Sequence, residues 1–414
     1  MNLMTPAAPV MSERRVMWLG ALLVALGPVS MALYTPAMPE IVQAFGTTES
    51  AVKLTLSLYF AGFALAQLVC GPLSDGFGRR PITIAFVLIY MSASLVALFS
   101  PNVEVLIAAR FVQGVGAAVG VSMSRAIVRD LFTNERSARI MNMIGMILAI
   151  GPAFSPVIGG ITMELFGWHA IFILMVAFGV GIVLAAVFLM RETVTRDLSR
   201  IRPKAIARSY ATLLASPYFM FTSLMMAGTV GALYAQATLL SFILIDRVGL
   251  TATHFGLSML MQSGFYFLGT VAVRLTISRI GAFRLVPIGL CFVAAGGIAL
   301  FILLRLFEPS FLTVMGPIGC YAFGIAFVTP AMTTASLAPF PHMAGAAASL
   351  SGFMQMGAGL LGSMAAVLIG EPVLALATVV PAMGTIAILS WFAWRRLPDP
   401  PRAVVLPPPP EMPI

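Results

Sequence analysis

One basic side chain interrupts the apolar stretches of this sequence, and no acidic side chain does. Arg110 lies inside the stretch 105–124, whereas every Asp and Glu lies near the end of an apolar stretch or between two of them. A carboxylate inside such a stretch is the usual carrier of a proton or binder of a cation. A guanidinium instead favours an anion or a hydrogen-bond acceptor. Arg110 therefore predicts contact with a neutral or anionic molecule, unless it snorkels to water at the nearby end of its helix.

Uncharged polar side chains in the apolar stretches form a second group of candidates. Hydrocarbon offers them no hydrogen-bond partner, so they should face inward, either toward a cavity or as hydrogen bonds between helices. The candidates are Tyr34, Tyr59, Gln67, Gln113, Asn142, Tyr234, Gln236, Gln262, Tyr266 and Gln355.

Enzymatic chemistry is not expected. No metal-ligand spacing and no nucleophile–base arrangement occurs, and Gly76 and Gly78 are not followed by the Lys-Ser or Lys-Thr pair of a phosphate-binding loop. We expect no metal, no cofactor and no ATP-driven step.

Apolar stretches long enough to cross a membrane dominate the chain. Hydrophobic residues make up 60% of it, charged residues 9%, and the mean hydropathy is +1.00. A transmembrane helix needs roughly 20 apolar residues. The stretch 309–370 holds two spans, because Pro339 and Pro341 interrupt it. Twelve spans are predicted, and thus an all-α membrane protein; they lie in 16–39, 54–74, 81–103, 105–124, 140–163, 165–190, 209–245, 248–273, 285–304, 309–370 (two) and 372–394.

The distribution of basic residues predicts the orientation. All of the 24 Lys and Arg residues except Lys53, Arg110, Arg247 and Arg305 fall on the side of the N-terminus. By the positive-inside rule both termini are cytoplasmic. The net charge of +9 is then a topology signal, and nucleic-acid binding is not expected.

The longest polar segment between spans divides the chain into two six-helix halves, with substrate expected between them. The predicted boundaries are an N-terminal tail (1–15), a first half (16–190), a cytoplasmic central loop (191–216), a second half (217–396) and a Pro-rich tail (397–414).

Three motifs in order resemble the major facilitator superfamily. Residues 71–81 (GPLSDGFGRRP) resemble its motif A, residues 110–116 (RFVQGVG) its motif B, and residues 151–160 (GPAFSPVIGG) its motif C, the antiporter signature. The segment 340–345 (FPHMAG) and the pair Arg129-Asp130 are similar to the bicyclomycin-resistance (Bcr/CflA) group of drug:proton antiporters. The resemblance covers roughly residues 16–395 and implies the major facilitator fold.

The resemblance also implies roles for particular residues. Motif A would form a conformational latch between the halves, although a solvated loop turn is the alternative; its residues are Gly71, Asp75, Gly78, Arg79 and Arg80. Motif B would take part in proton transfer or substrate contact through Arg110 and Gln113. Motif C would let helices pack closely and seal the protein against proton leak, through Gly151, Pro152, Pro156, Gly159 and Gly160.

Two positions depart from the pattern of the group. Ala32 stands where an Asp is common in the first span, which removes the obvious proton carrier and the obvious anchor for a cationic drug. Lys53 stands where an uncharged residue is more usual and adds positive charge at the mouth of the cavity. Asp75 or Glu40 would have to replace the missing carboxylate.

The sequence therefore predicts a monomeric secondary active exporter in the bacterial inner membrane, exchanging a small neutral or anionic amphipathic molecule for protons by alternating access. An uncoupled exporter of the same fold is the first alternative. A non-transporting receptor or scaffold is the second, and it would call for an added soluble domain or long structured loop.

Overall fold

The fold is all-α. The computed structural model describes residues 10–132, 134–197 and 203–398. The α-helices are α1 Glu13–Tyr34, α2 Met38–Phe45, α3 Glu49–Phe77, α4 Arg79–Leu98, α5 Val103–Ala117, α6 Val119–Leu131, α7 Asn134–Phe166, α8 Trp168–Phe188, α9 Pro203–Leu214, α10 Pro217–Ala237, α11 Ala252–Ile280, α12 Ala282–Leu306, α13 Phe311–Leu337, α14 Ala344–Ile369 and α15 Pro372–Trp394.

The helices of the described residues account for the twelve spans that the hydropathy predicts. Eleven helices or joined helices of the described chain are long and apolar enough to cross a membrane, and α7 adds the apolar segment Ala153–Phe166. Two of these spans, the first and the fourth, join helices end to end. The first span passes through a 3₁₀ turn at Thr35–Ala37 into α2, so Glu40, predicted beyond the span, lies within its helical continuation.

Proline and glycine set the other boundaries. Between α13 and α14 the chain makes a 3₁₀ turn, Pro341–Met343, at the interruption that the two prolines predict. Helix α2 ends at Gly46, whose φ of 57° is a left-handed conformation that suits glycine. The fourth span is an exception, because it is divided into α5 and α6 at an alanine, Ala118.

Two helix pairs join the halves, which are formed by α1–α8 and α10–α15. Helix α3 packs along α14, and α7 packs along α11. We call the two ends of the bundle the basic end and the far end. The basic end carries Arg79, Arg80, Arg129, Arg136 and Arg139, and the far end carries Glu40, Glu164, Asp246 and Gly370.

The segment predicted as a central loop contains a helix. Helix α9 exposes Lys204 and Arg208 and buries Leu213 against Phe219 and Leu350 of the second half. This amphipathic pattern indicates a helix that lies on the bundle instead of crossing it.

Candidate functional site

Arg110 lies inside the first half, between two aromatic rings. Its side chain has 0% exposure. The guanidinium carbon is 4.2 Å from the ring centroid of Tyr34 and 4.5 Å from that of Tyr59, both in cation–π range. One guanidinium nitrogen donates to the Oε1 atom of Gln113, one helical turn along α5. Arg110 therefore does not snorkel to water in this structure.

A polar shell orients the side chains that hold Arg110. Gln113 donates through Nε2 to the Ser94 hydroxyl at 2.6 Å, which turns its carbonyl oxygen toward the guanidinium. The Tyr34 hydroxyl lies 2.7 Å from Oγ1 of Thr55, and the Tyr59 hydroxyl donates to the Gly27 carbonyl at 3.0 Å. The two tyrosines thus present their ring faces to Arg110 and use their hydroxyls elsewhere.

The charge of Arg110 is not balanced by a carboxylate. In the described parts of the chain its Nε and Nη2 atoms have no hydrogen-bond partner, and no ion pair reaches it. A buried guanidinium with free donors is costly unless an acceptor or anion approaches it. Its two free nitrogens are donors that a hydrogen-bond acceptor or an anion would satisfy.

The remaining polar candidates are not gathered around Arg110. Gln236 is buried, and both of its amide atoms lack a partner among the described residues. Tyr234 packs on Phe60 with ring centroids 5.7 Å apart. Gln355 donates to its own helix, to the Ser351 carbonyl at 3.3 Å. Gln67 lies against Gly352, Gln262 and Tyr266 are half-buried on α11, and the side chain of Asn142 lies outside the described residues.

Several residues of the shell escape the sequence prediction. Ser30, Thr55, Tyr90 and Ser94 complete the hydrogen bonds around Arg110, and the Tyr90 hydroxyl lies 2.6 Å from that of Ser30. Tyr90 could have been selected from the sequence, because it is a polar side chain in an apolar stretch, like the candidates that were selected.

Motif A forms an ion-pair network at the basic end. Arg79 is 2% exposed, and its Nη2 atom lies 2.6 Å from Asp75 Oδ1 while its Nε atom lies 2.9 Å from Asp130 Oδ2. Ser74 accepts from Nη1, and the Thr193 hydroxyl donates to Asp130 at 2.8 Å. Asp75 and Arg79 are thereby bound to α6 and to the chain after α8, all within the first half. A latch that reaches the second half stays a prediction.

Glu192 completes the network at the N-terminus of α4. Its carboxylate accepts from the backbone N–H groups of Arg79 at 2.8 Å and Arg80 at 3.2 Å, where a helix N-terminus favours an anion. Gly78 has a φ of 104°, and a Cβ atom there would lie 2.6 Å from Glu192 Oε2. The guanidinium of Arg80 donates to the carbonyls of Ala186 and Val187 at 3.1 and 2.7 Å.

Motif C lies where α7 meets two other helices. A Cβ atom on Gly160 would collide with the Ala252 carbonyl of α11, and one on Gly256 with the Pro156 carbonyl of α7. Gly159 approaches the Leu33 carbonyl of α1 in the same way, while Gly151 lies near the Val29 side chain. The side chain of Pro152 lies outside the described residues. The motif thus brings two backbones of opposite halves into direct contact.

Hydrogen bonds add to the closure of the far end. Glu164 accepts from the backbone N–H and the hydroxyl of Thr253 at 2.8 and 2.7 Å, and so caps α11 from the other half. Lys53, with 0% exposure, donates to Glu49 at 3.0 Å and to the Gly370 carbonyl at 3.4 Å. Its ammonium lies 5.0 Å from the ring centroid of Phe242. Lys53 therefore joins α3 to the second half.

A vestibule of about 440 Å³ opens at the far end, and the carboxylates of Glu40, Glu164 and Asp246 line it. Desolvation at the vestibule wall, and next the like charge of Glu49, raise the pKa of Asp246. Met163 of α7 and Ala252 of α11 also line it, so the vestibule adjoins the close crossing of these two helices.

Comparison with known proteins identifies the family. Residues 17–363 match the family model described as Major Facilitator Superfamily. The chain belongs to the major facilitator superfamily. It is a multi-pass membrane transporter and not an enzyme, as the motifs predict. The D-xylose-proton symporter has a similar fold: it superposes with a TM-score of 0.72 at 14% identity, covering 93% of this chain and 98% of that chain.

Several relatives of this facilitator are named as drug-resistance proteins. Multidrug resistance protein D of Escherichia coli (strain K12) is 28% identical over 371 residues, covering 89% of this chain and 93% of the relative. Multidrug resistance protein MdtL of Salmonella typhimurium is 29% identical, with 81% and 83% covered. A structure titled as a bacterial homolog to the human lysosomal transporter Spinster, inward-facing and occupied, superposes with a TM-score of 0.69 at 16% identity, covering 92% and 95%.

The two halves of the facilitator are in contact at both ends of the bundle. At the basic end, a Cβ atom on Gly352 would lie 2.6 Å from Gln67 Oε1, and one on Gly71 would lie 3.7 Å from the Ser349 hydroxyl. At the far end, Glu164 and Lys53 bond across the halves. Arg110, with 0% exposure, therefore lies in a bundle whose halves touch at both ends.

The partners of Arg79 in this facilitator should differ in their contribution to stability. The Asp130 side chain is 12% exposed and that of Asp75 is 35% exposed. Removing one partner of a buried pair leaves an uncompensated charge. We expect Asp130→Asn to lower the free energy of unfolding by about 2 kcal/mol and Asp75→Asn by less than about 1 kcal/mol. Thermal unfolding of the purified variants measures both, and equal losses would contradict the ranking.

Proposed function

We propose that this facilitator is a secondary active exporter of small amphipathic molecules that works by alternating access and that favours neutral or anionic substrates. The observation that carries the substrate class is the enclosed, unbalanced guanidinium of Arg110, with free donors at Nε and Nη2. The names of the multidrug resistance relatives support the direction of transport and the breadth of substrates.

The orientation follows from the basic residues. We place the basic end and both termini in the cytoplasm, because cytoplasmic loops carry the excess of Lys and Arg. The bacterial relatives support the inner membrane as the site. The proposed boundaries remain 16–190 and 217–396 for the halves, with 1–15, 191–216 and 397–414 as tails and central segment, and a single chain holding both halves as the working unit.

Electrostatics disfavours a cationic substrate at the Arg110 site. Charges separated by a few ångströms in a medium of low dielectric constant interact strongly, and screening by salt is weak when they are buried. Ala32 is buried at 6% exposure at the position where an Asp is common in the group, so the first span contributes no negative charge there. A lipophilic cation should therefore compete poorly with an amphenicol or an acidic amphiphile.

We propose protons as the exchanged ion. The two replacement carboxylates occupy different positions: Glu40 lines the far-end vestibule, and Asp75 pairs with Arg79 at the basic end. An uncoupled exporter is the second candidate, and the observation that favours it is the absence of any carboxylate contact to Arg110 among the described residues.

A pH-gradient assay separates these candidates. Inverted membrane vesicles receive an imposed gradient and a fluorescent pH reporter, and then an amphenicol, an acidic amphiphile or tetraphenylphosphonium. We expect the first two to dissipate the gradient and the cation to do so weakly. Vesicles with Asp75→Asn and Glu40→Gln identify the proton carrier. Export of substrate without any proton movement would support the uncoupled exporter, and a best response to the cation would contradict the substrate class.

A further inference from the structure

The central helix α9 contacts both halves of the bundle through one side chain. The hydroxyl of Tyr210 donates to the Leu68 carbonyl of α3 at 2.6 Å, across 142 residues of chain. It also interacts with the hydroxyl of Ser349 on α14. Helix α3 belongs to the first half and α14 to the second. Tyr210 thus lies at the basic-end crossing of the halves without belonging to either.

The Leu68 carbonyl needs this donor because of a proline. In an α-helix the carbonyl of residue i accepts from the N–H of residue i+4. For Leu68 that residue is Pro72, which lies inside α3 and has no N–H. A carbonyl left unpaired in apolar surroundings costs free energy comparable to a lost hydrogen bond. The hydroxyl of Tyr210 replaces the missing donor.

The surroundings keep the hydroxyl in place and protonated. Leu68 and Tyr210 pack against a cluster formed by Leu213, Phe219, Ala347 and Leu350. Burial raises the pKa of Tyr210 to about 12, so the hydroxyl is a donor at cellular pH. One turn further along α3, Gly71 faces Ser349 closely enough that an added Cβ would lie 3.7 Å from its hydroxyl. The contact therefore depends on α3 and α14 being together.

We propose that Tyr210 is a positioning residue of the transport cycle, which holds the basic end closed by pairing the Leu68 carbonyl that Pro72 leaves free while contacting Ser349 of the opposite half. The proposal rests on the alternating access proposed above. When the basic end opens, α3 leaves α14 and Tyr210 can stay with only one of its two partners. Helix α9 is then a mechanical part of the gate.

Removing the hydroxyl should favour opening of the basic end. A net hydrogen bond contributes about 1 kcal/mol, so Tyr210→Phe should raise the ratio of basic-end-open to basic-end-closed protein about fivefold. The matched control is Tyr321→Phe, because the Tyr321 hydroxyl also donates to a backbone carbonyl, that of Gly228 at 3.0 Å, but entirely within the second half. That control should leave the ratio unchanged.

A double-mutant cycle tests the role of Pro72. Alanine at position 72 restores an N–H that can pair the Leu68 carbonyl within α3. In a Pro72→Ala background, Tyr210→Phe should therefore change the ratio by less than about twofold, since only the Ser349 contact is still lost.

Distance measurements by electron paramagnetic resonance provide the readout without requiring transport. The full chain, with Cys70, Cys291 and Cys320 replaced, carries spin labels at exposed sites on opposite halves. Arg14→Cys with Arg284→Cys reports on the basic end, and Glu104→Cys with Glu308→Cys on the far end. We expect Tyr210→Phe to lengthen the basic-end distances and shorten the far-end distances, because alternating access couples the two ends.

The outcomes separate this proposal from the function on which it rests. Two populations in the parent protein, shifted by Tyr210→Phe and not by Tyr321→Phe, would support the proposal. Two populations that Tyr210→Phe leaves unshifted would overturn it and leave alternating access intact. A shift confined to the basic end would overturn it and would also contradict the coupling of the two ends. If Tyr210→Phe shifted the populations equally in the parent and in the Pro72→Ala background, the Leu68 carbonyl would not be the partner that matters, and the proposal would be overturned. A single population at both ends, with and without an amphenicol, would overturn alternating access and the proposal together.

Discussion

Replacement of Arg110 by methionine is expected to lower the export of neutral and anionic substrates strongly while changing the stability of the protein little. The guanidinium is the only charge in contact with the rings of Tyr34 and Tyr59 within the described structure, and two of its nitrogens have no partner there. Hydrogen bonds to a charged group contribute about 1.5–3 kcal/mol, so we expect transport efficiency to fall by on the order of 100-fold.

The stability should change little because two effects oppose each other. Methionine removes the cost of holding a charge in the membrane, about 2.5–3.5 kcal/mol on insertion scales. It also removes two cation–π contacts and leaves the Gln113 carbonyl oxygen without its donor, which costs a similar amount. We therefore expect the free energy of unfolding to stay within about 1 kcal/mol of the parent value.

Lysine at position 110 should not restore transport. The guanidinium is planar and fits between two rings, with donors left over at its edge, whereas an ammonium is a compact point charge that cannot fill the same space. Arg110→Lys should thus retain the charge and lose most of the export.

Efflux of a labelled amphenicol and thermal unfolding, measured on the same preparations, test these expectations. Arg305→Met is the matched control, since Arg305 also stacks on a ring, 3.8 Å from the centroid of Phe301, but at an exposed position. If Arg110→Met exported like the parent, the assignment of Arg110 to substrate contact would be wrong. If it failed to fold, the expected balance of stability would be wrong, and Arg110 would be a structural residue.

Much of the architecture could be predicted because a bilayer imposes a simple rule on sequence. Spans must be about 20 residues long and apolar, and prolines end them, so the boundary at Pro341 was visible in the chain. The continuation of the first span through Thr35–Ala37 was not, because a 3₁₀ turn keeps the helix direction across prolines that normally signal an end. Helix α9 was missed because its apolar face is only a few residues wide.

The candidate site was predictable in its residue types and not in its partners. Arg110, Gln113, Tyr34 and Tyr59 were selected for being polar in apolar stretches, and the fold brings these four together. Nothing in their spacing indicated that the two rings would enclose the guanidinium.

Partners far apart in sequence explain the other gaps. Asp130 pairs with Arg79, Glu192 caps α4 and Tyr210 bonds Leu68, over separations of 51 to 142 residues. One chain provides no signal that links such positions. Lys53 was expected at the mouth of a cavity, and only the packing of α3 against the second half shows that it is buried there.

Gly160→Ala is expected to prevent closure of the far end. The added methyl group would collide with the Ala252 carbonyl oxygen, and it would lie 2.7 Å from the Ala252 carbonyl carbon and 2.9 Å from the Thr253 Cα atom. All three atoms belong to the backbone of α11, so no side-chain rotation can relieve the contact. Overpacking of this kind costs about 1–3 kcal/mol. Because α7 and α11 belong to opposite halves, this cost destabilises the state in which the far end is closed.

Separation of α7 from α11 would also break the bonds between Glu164 and Thr253, at 2.8 and 2.7 Å, since a hydrogen bond does not survive a further ångström. We expect the spin-labelled pair at positions 104 and 308 to show long distances in most molecules, the pair at 14 and 284 to show short ones, and export to fall at least about tenfold. This pattern differs from misfolding, which would broaden both distance distributions.

Gly264→Ala is the matched control, because Gly264 lies on α11 and an added Cβ there meets no atom within 4 Å. A second comparison is Gly151→Ala on α7, where the new Cβ would lie 3.1 Å from a methyl group of Val29, within one half and able to move. If Gly160→Ala left the far-end distances and the export rate like those of Gly264→Ala, close contact at motif C would not be required for closure, and its glycines would need another explanation.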